Sequence, residues 1–358
     1  MRTPVLTVSL SLVLFSGLAA AQAQERVAQT QPAASWEETG DGGDEYPTDD
    51  SGHAIIPPKF WFTAPTYGAY FQADVLYLER LHNVHDIPIA VDLPPTSATV
   101  LSTNDAKLSN HFRPGAMFTL GWNLDQVAQF EGTYWGLNSW TNSASATDPA
   151  GLLGLAGTLQ NNTVDYIFAD RMQIDYESHI NNAEANYKQT IEGLTVLAGF
   201  RYFRLLETFN INSHSSLIDE ASDYKVTAVN QLIGLQLGLG QTQQWGGLQV
   251  GVLGKIGAYG NMAHQTTLLQ DLGNSIILRQ YKAGATPVSS LAELGVNASY
   301  QITDWLSIHA GYRFIWVYNV ALAPDQLDLS NSPPGTTVMN PHNHLMMQGL
   351  NGGVEIRW

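Results

Sequence analysis

The sequence predicts an all-β fold, a transmembrane antiparallel up-and-down barrel of about ten strands, with about twelve also compatible. Three observations predict it. Charged residues make up only 13% of the chain, about half the share in soluble domains. Period-two apolar alternation recurs in stretches of barrel-strand length, and long connections alternate with short ones along the chain. Beyond the N-terminal stretch no window reaches the roughly 18 uncharged apolar residues of a membrane helix. A bilayer core leaves unpaired backbone groups without partners, so a closed barrel is the remaining way to span it.

Three strands alternate most clearly. From Leu306, the residues Leu306, Ile308, Ala310, Tyr312, Phe314 and Trp316 share one face, opposite Ser307, His309, Gly311 and Arg313. From Ala292, the residues Leu294, Val296, Ala298, Tyr300 and Ile302 oppose Glu293, Gly295, Asn297, Ser299 and Gln301. Leu248, Val250, Val252, Ile256 and Ala258 likewise oppose Gln249, Gly251, Lys255 and Asn261. Apolar residues at i, i+3 and i+4 would mark a helix, and these stretches lack that spacing. Weaker strands are expected over 70–80, 115–123, 126–137, 173–188, 193–209, 224–241 and 344–358. The alternation slips near Asn181 to Ala183, where a bulge or a rim segment is expected.

The connections near 123–126, 189–192, 242–244 and 303–304 are short; those near 81–114, 138–171, 210–223, 265–287 and 321–343 are long. Transmembrane barrels put short turns in the periplasm and long loops outside. Aromatic girdles are expected at both rims, with Tyr70, Trp122, Tyr187, Trp245, Trp305 and Trp358 at the periplasmic one. Trp135, Tyr202, Phe203, Tyr259, Trp316 and Tyr318 are expected at the other. The final strand carries Leu350, Val354, Ile356 and Trp358 at alternate positions, which predicts a C-terminal assembly signal read by the barrel-assembly machinery.

The first residues predict secretion. Arg2, an uncharged apolar run from Val5 to Phe15 and the small residues Ala19 to Ala23 form a signal peptide over 1–23, cleaved after Ala21 or Ala23. Residues 24–59, rich in Glu and Asp and poor in large apolar side chains, are expected to be an acidic disordered periplasmic linker. The barrel is then expected over 60–358. The predicted location is the outer membrane, reached by signal-peptide export.

Composition also excludes partners. The chain has no cysteine, which rules out disulfides, thiolate metal sites and a cysteine nucleophile. Its 16 Lys and Arg against 32 Asp and Glu give a net charge of −16, the wrong sign for a nucleic-acid binder. The expected partners are outer-membrane lipid, the barrel-assembly machinery during biogenesis, and small solutes or ions.

The sequence resembles the β-barrel porin family seven, found mainly in planctomycete genomes. The resemblance rests on Leu197-Ala-Gly-Phe-Arg-Tyr-Phe-Arg-Leu-Leu-Glu207, Ala292-Glu-Leu-Gly-Val296 with Tyr300-Gln-Ile-Thr-Asp304, Ala310-Gly-Tyr-Arg-Phe314 and Val320-Ala-Leu-Ala-Pro-Asp-Gln-Leu327. It covers roughly residues 60–358. It implies an outer-membrane barrel and supplies no catalytic motif. Members often carry cysteines near an aromatic-rich first strand; this chain has the aromatics without the cysteines.

The alternation puts Glu131, Arg201, Lys255, Glu293, Arg313, Glu355 and Arg357 on the lumen side. They read either as a charged constriction that selects solutes or as a salt-bridged filling, since about eight strands leave an interior that side chains fill. His82, His85, His111, His214, His264, His342 and His344 fall in or beside the long loops, with Asp86, Asp219 and Asp325 in the same loops. No metal-ligand spacing links them, and no cofactor, metal or catalytic residue is expected. The leading functional expectation is a non-enzymatic, porin-like barrel giving narrow passive passage to small solutes or ions. The alternatives are a non-conducting structural barrel whose extracellular loops bind a surface partner or metal, and an outer-membrane rim hydrolase.

Overall fold

The computed structural model describes residues 68–81, 84–94, 97–109, 111–159, 166–331 and 338–358. The expected signal peptide, the acidic linker and His82 lie outside the described residues. Sixteen strands run along the described residues. They are β1 (Ala69–Leu81), β2 (Pro88–Asp92), β3 (Thr99–Ser102), β4 (Phe112–Asn123), β5 (Ala128–Leu137), β6 (Trp140–Thr147), β7 (Leu153–Leu155) and β8 (Arg171–Ile191). Then follow β9 (Leu194–Ser215), β10 (Glu220–Trp245), β11 (Leu248–Asn261), β12 (Ala263–Asp271), β13 (Ile276–Ala285), β14 (Val288–Gln301), β15 (Leu306–Val320) and β16 (Asn343–Arg357).

Ten strands close the predicted barrel in the order β1-β4-β5-β8-β9-β10-β11-β14-β15-β16, each antiparallel to its neighbours. The seam is β1 against β16, in continuous register from Tyr70↔Arg357 to Leu81↔Met346. Ala69 and Trp358 exchange both backbone hydrogen bonds at 3.0 Å across it. The short connections are tight hairpin turns. Glu192 and Gly193, at φ 50° and 82°, join β8 to β9 with both central residues left-handed, whose twist matches that of the flanking strands.

The outer surface carries a belt of exposed apolar side chains. On β10 it runs through Ile233, Leu235, Leu237 and Leu239, with Leu235 70% exposed. Its height matches the short strands, but β8, β9 and β10 are 21, 22 and 26 residues long, about twice the 9–11 residues a crossing needs. They rise beyond the belt at the long-loop end. There β6 continues the line of β5 along β8, and the β12–β13 hairpin extends the wall beside β10.

Inside, the wall strands keep their parity through the membrane belt while the chemistry of the inner face changes, and only near its upper end does β15 slip, between Tyr318 and Val320. On β8 the inward row passes from Lys188, Asn186, Glu184 and Asn182 to Ile180, Tyr176, Ile174 and Met172. On β9 it changes between Arg201 and Phe203, on β15 between Arg313 and Ile315, and on β16 between Asn351 and Met347. The lower lumen is polar and the upper lumen apolar. The long connections fill the upper part. The sheet β3-β2-β7 packs Ile89, Leu101, Leu153 and Leu155 into one buried cluster with Phe203, Leu205, Phe209, Ile211, Ile315 and Val317. The 321–331 segment joins that cluster through Ala321, Leu322 and Ala323.

Polar wall residues fasten this segment. Asn230 donates to the Ala321 carbonyl and accepts from its N–H, both at 2.8 Å. Glu207 accepts the Ala323 N–H at 2.9 Å, and Arg279 donates to the carbonyls of Asp328 and Ser330 at 3.1 and 2.8 Å. A buried backbone needs such partners.

The structure corrects three expectations. No bulge breaks β8 at Asn181–Ala183: its register with β9 runs through Asn181↔Arg204, Asn182↔Phe203 and Ala183↔Tyr202 without a shift. The alternation slips there because the inner face turns apolar. Of the expected girdle, Trp122, Tyr187, Trp245, Trp305 and Trp358 point outward at the short-turn end, and Trp316 and Tyr318 at the other. Tyr70, Trp135, Phe203 and Tyr259 are instead buried inside, because they sit at inward parity. Finally, the 265–287 connection is largely the β12–β13 hairpin, which places His264 in a strand.

Since the chain lacks cysteine, single cysteines report orientation. Leu217→Cys, in the β9–β10 turn, should react with a membrane-impermeant maleimide on intact cells, and Asp304→Cys, in the β14–β15 turn, only after permeabilisation. The reverse pattern would invert the barrel. A pH effect is also expected at the rim. Asp170 accepts from the Ser216 N–H at 2.9 Å and pairs with His214 at 3.0 Å, and the bonds from Ser216 and then His214 hold its carboxyl at about 2. An unfolded aspartate titrates near ~3.9, so the contribution is present above that value and is lost as pH falls through about 2. Hydrogen exchange in the β9–β10 turn, corrected for intrinsic rate, should rise over that window, and Asp170→Asn should abolish the step.

Candidate functional site

The polar lower lumen surrounds a cavity of about 790 Å³. Its lining includes Asn123, Glu192, Gly193 and Gly247 from the short-turn ends and stops at the level of Glu184, Glu293, Arg313 and Asn351. The cavity is therefore a vestibule that opens at the short-turn end.

A buried charge cluster forms its roof. Arg201, fully buried, contacts Glu293 at 2.6 Å and Glu184 at 2.9 Å, and donates to Asn182 at 2.6 Å. Lys255 lies 2.9 Å from Glu184 and 3.1 Å from Glu293, and Arg313 reaches the other Glu293 oxygen at 2.9 Å. Gln236 adds a hydrogen bond to Glu184 at 2.8 Å. These groups come from β8, β9, β10, β11, β14 and β15, so the cluster ties together six wall strands.

Lower down, the remaining charges pair locally. Glu131 accepts from Tyr70 at 2.5 Å and pairs with Lys188. Glu355 pairs with Arg357 and accepts from Gln72 at 2.6 Å. Asp74 contacts His309 at 2.6 Å and accepts from Asn351 at 3.1 Å. Asp74 and His309 both face Gly353 in register, so no side chain stands between them.

The seven residues expected in the lumen all point inward. Four of them, Arg201, Lys255, Glu293 and Arg313, meet in the roof; Glu131 and the Glu355–Arg357 pair stand apart lower in the vestibule. Sequence reasoning missed Glu184, Lys188, Asp74 and His309. Glu184 lies next to the apparent slip, and counting parity from Lys188 through Asn186 would have found it. A second buried pair, Arg80 with Glu207 at 2.5 Å, lies in the apolar upper half, where Tyr176 also donates to Glu207 at 2.9 Å. The Leu197–Glu207 stretch contains Glu207, but its apolar neighbours gave no reason to expect a lumenal charge there.

The loop histidines do not converge. His85 pairs with Asp325 at 2.7 Å and His214 with Asp170. Burial raises the Asp325 carboxyl, and the bond from His85 opposes that rise. Among the described residues, no group of three or more His, Cys, Asp or Glu side chains could hold a metal ion.

Residues 89–358 match the family described as putative beta barrel porin-7 (BBP7). The chain belongs to this family. It is a porin-like outer-membrane β-barrel protein. Its fold is similar to that of the outer membrane protease OmpT from Escherichia coli, at 14% identity, 83% coverage of this chain, 98% of that chain and a TM-score of 0.39. It is also similar to the translocator domain of the autotransporter NalP from Neisseria meningitidis (10% identity, 81% and 88% covered, TM-score 0.36) and the toluene transporter TbuX from Ralstonia pickettii (11% identity, 82% and 89% covered, TM-score 0.30). No curated protein sequence matches it.

The roof makes a stability prediction. Glu293→Gln leaves Arg201 and Lys255 sharing Glu184 and takes the paired carboxylate from Arg313, and breaking a buried pair costs on the order of 3–5 kcal/mol. Urea unfolding from lipid vesicles should show a loss of that order. Glu355→Gln should cost much less, because the Arg357 side chain is 36% exposed and keeps water. Equal losses would contradict the burial difference.

Proposed function

We propose that this protein is an outer-membrane barrel closed to through-passage, which holds a folded loop cap at the cell surface and opens its water-filled space to the periplasm alone. One observation carries the reading: above Arg201 the inward rows are mainly apolar and fully buried against the cap, as at Phe203, Leu205, Phe209, Ile315 and Val317, and the polar groups among them, such as Arg80 and Glu207, are buried and paired. A hydrated path for ions needs polar or water-exposed walls along its length, and the cap lies across that path. Of the readings drawn from the sequence, this favours the non-conducting barrel over narrow passive passage.

The fastening of the cap supports the same reading. The 321–331 segment is held by Asn230, Glu207 and Arg279 from three different strands, and the apolar cluster beneath it excludes water. Catalysis forms no part of the reading. The partners we propose are outer-membrane lipid at the apolar belt and a surface partner at the cap.

Conductance tests it. Purified protein reconstituted in a planar bilayer should give no channel steps in symmetrical salt at any moderate voltage, with insertion confirmed by protease protection of the barrel. Reproducible single-channel steps from the wild type would overturn the closed-barrel reading and restore narrow passage.

A further inference from the structure

The vestibule is a cavity of about 790 Å³, within the size range that holds a small ligand, and its lining determines which chemistry it accepts. Its lining charges are matched inside the protein apart from Glu192, which stands exposed in the β8–β9 turn at the mouth. Asp74 pairs with His309, Glu131 with Lys188 and Glu355 with Arg357, and Glu184 and Glu293 share Arg201, Lys255 and Arg313. A charged guest would have to break one of these pairs, or remain unpaired where its hydration shell is reduced. Attraction for a net charge is correspondingly weak.

Neutral groups are what the vestibule leaves available. Asn123, Gln129, Thr242, Asn297 and Gln301 line it from β4, β5, β10 and β14. Among the described residues, their side chains hold no hydrogen bond. Each amide offers donors and acceptors together, and the hydroxyl offers both. They surround the cavity from several directions, so a guest that presents alternating donors and acceptors around its perimeter can be matched on each side. A polyhydroxylated molecule has that pattern without charge.

We propose that the vestibule binds a neutral polyhydroxylated solute, of small-oligosaccharide size, from the periplasmic side. The proposal rests on the closed-barrel reading, which makes the vestibule a pocket with one mouth. Binding orients the solute by hydrogen bonds to the amides and leaves the roof charges paired.

The test uses the full protein in a zwitterionic detergent without sugar head groups. Saturation-transfer NMR is recorded with three probes: raffinose, glucuronate and glucosamine. Raffinose should bind saturably, and the acid and the amine at least tenfold more weakly. Gln129→Leu combined with Gln301→Leu should weaken raffinose binding at least tenfold. Heat-modifiable mobility of that variant verifies folding, and the single variant Asn297→Leu, expected to weaken binding severalfold, provides an independent check should the double variant fail to fold. No saturable raffinose binding, equal binding of a charged probe, or unchanged binding in the folded variants would each overturn the proposal. Bilayer conductance on the same preparation separates the two readings: silence without raffinose binding defeats the ligand alone, and channel steps defeat the closed barrel.

Discussion

The rest of the interior depends on the burial of Arg201. A guanidinium removed from water must find enough carboxylate and amide oxygen to replace its hydration, and here it has Glu184, Glu293, Asn182 and Gln236. Those partners in turn draw in Lys255 and Arg313. Removing one of the two carboxylates would leave cationic charge under-compensated in a poorly hydrated interior, a penalty on the order of several kcal/mol. The cluster therefore fixes the inward direction of six wall strands at one level, and that level divides the lumen.

Below it, the wall faces lipid outside and water inside, and the strands alternate apolar-out and polar-in as a membrane barrel requires. Above it, β9 shows the reverse. Arg204, Thr208, Asn210 and Asn212 on β9 face outward, while Phe203, Leu205, Phe209 and Ile211 face inward. The same strand, in the same register, serves a membrane barrel at one end and a water-surrounded barrel with an apolar core at the other. Loops supply that core, because the wall at this width encloses more space than its own side chains fill. Their docking accounts for the polar pins on Asn230, Glu207 and Arg279, since a loop backbone placed in an apolar interior needs its N–H and C=O groups satisfied.

The ten wall strands were legible in the sequence because period-two alternation survives a change of solvent: parity is a property of the backbone, whatever faces it. The seven lumenal charges were legible for the same reason. The division of the lumen was not. An apolar residue at inward parity mimics a phase error, so the reversal reads as a bulge at Asn181–Ala183 and hides Glu184. It also makes the inward Trp135, Phe203 and Tyr259 resemble an interfacial girdle. The pairing of Arg80 with Glu207 across the lumen, from β1 to β9, depends on closure of the ring, which no local pattern encodes. The cap's small sheet β3-β2-β7 joins segments about fifty residues apart, and its strands are too short for alternation to mark them.

The most direct test of a lumen that is hydrated below Arg201 and sealed above it is a cysteine ladder along the inner face of β9, read by a small membrane-impermeant thiol reagent. Labelling is predicted at Thr195→Cys, on the cavity wall, from the periplasmic side alone. Protection from both sides is predicted at Leu205→Cys and Ile211→Cys in the folded protein. Labelling of Leu205→Cys from either side, at a rate comparable to Thr195→Cys, would contradict the sealed upper lumen.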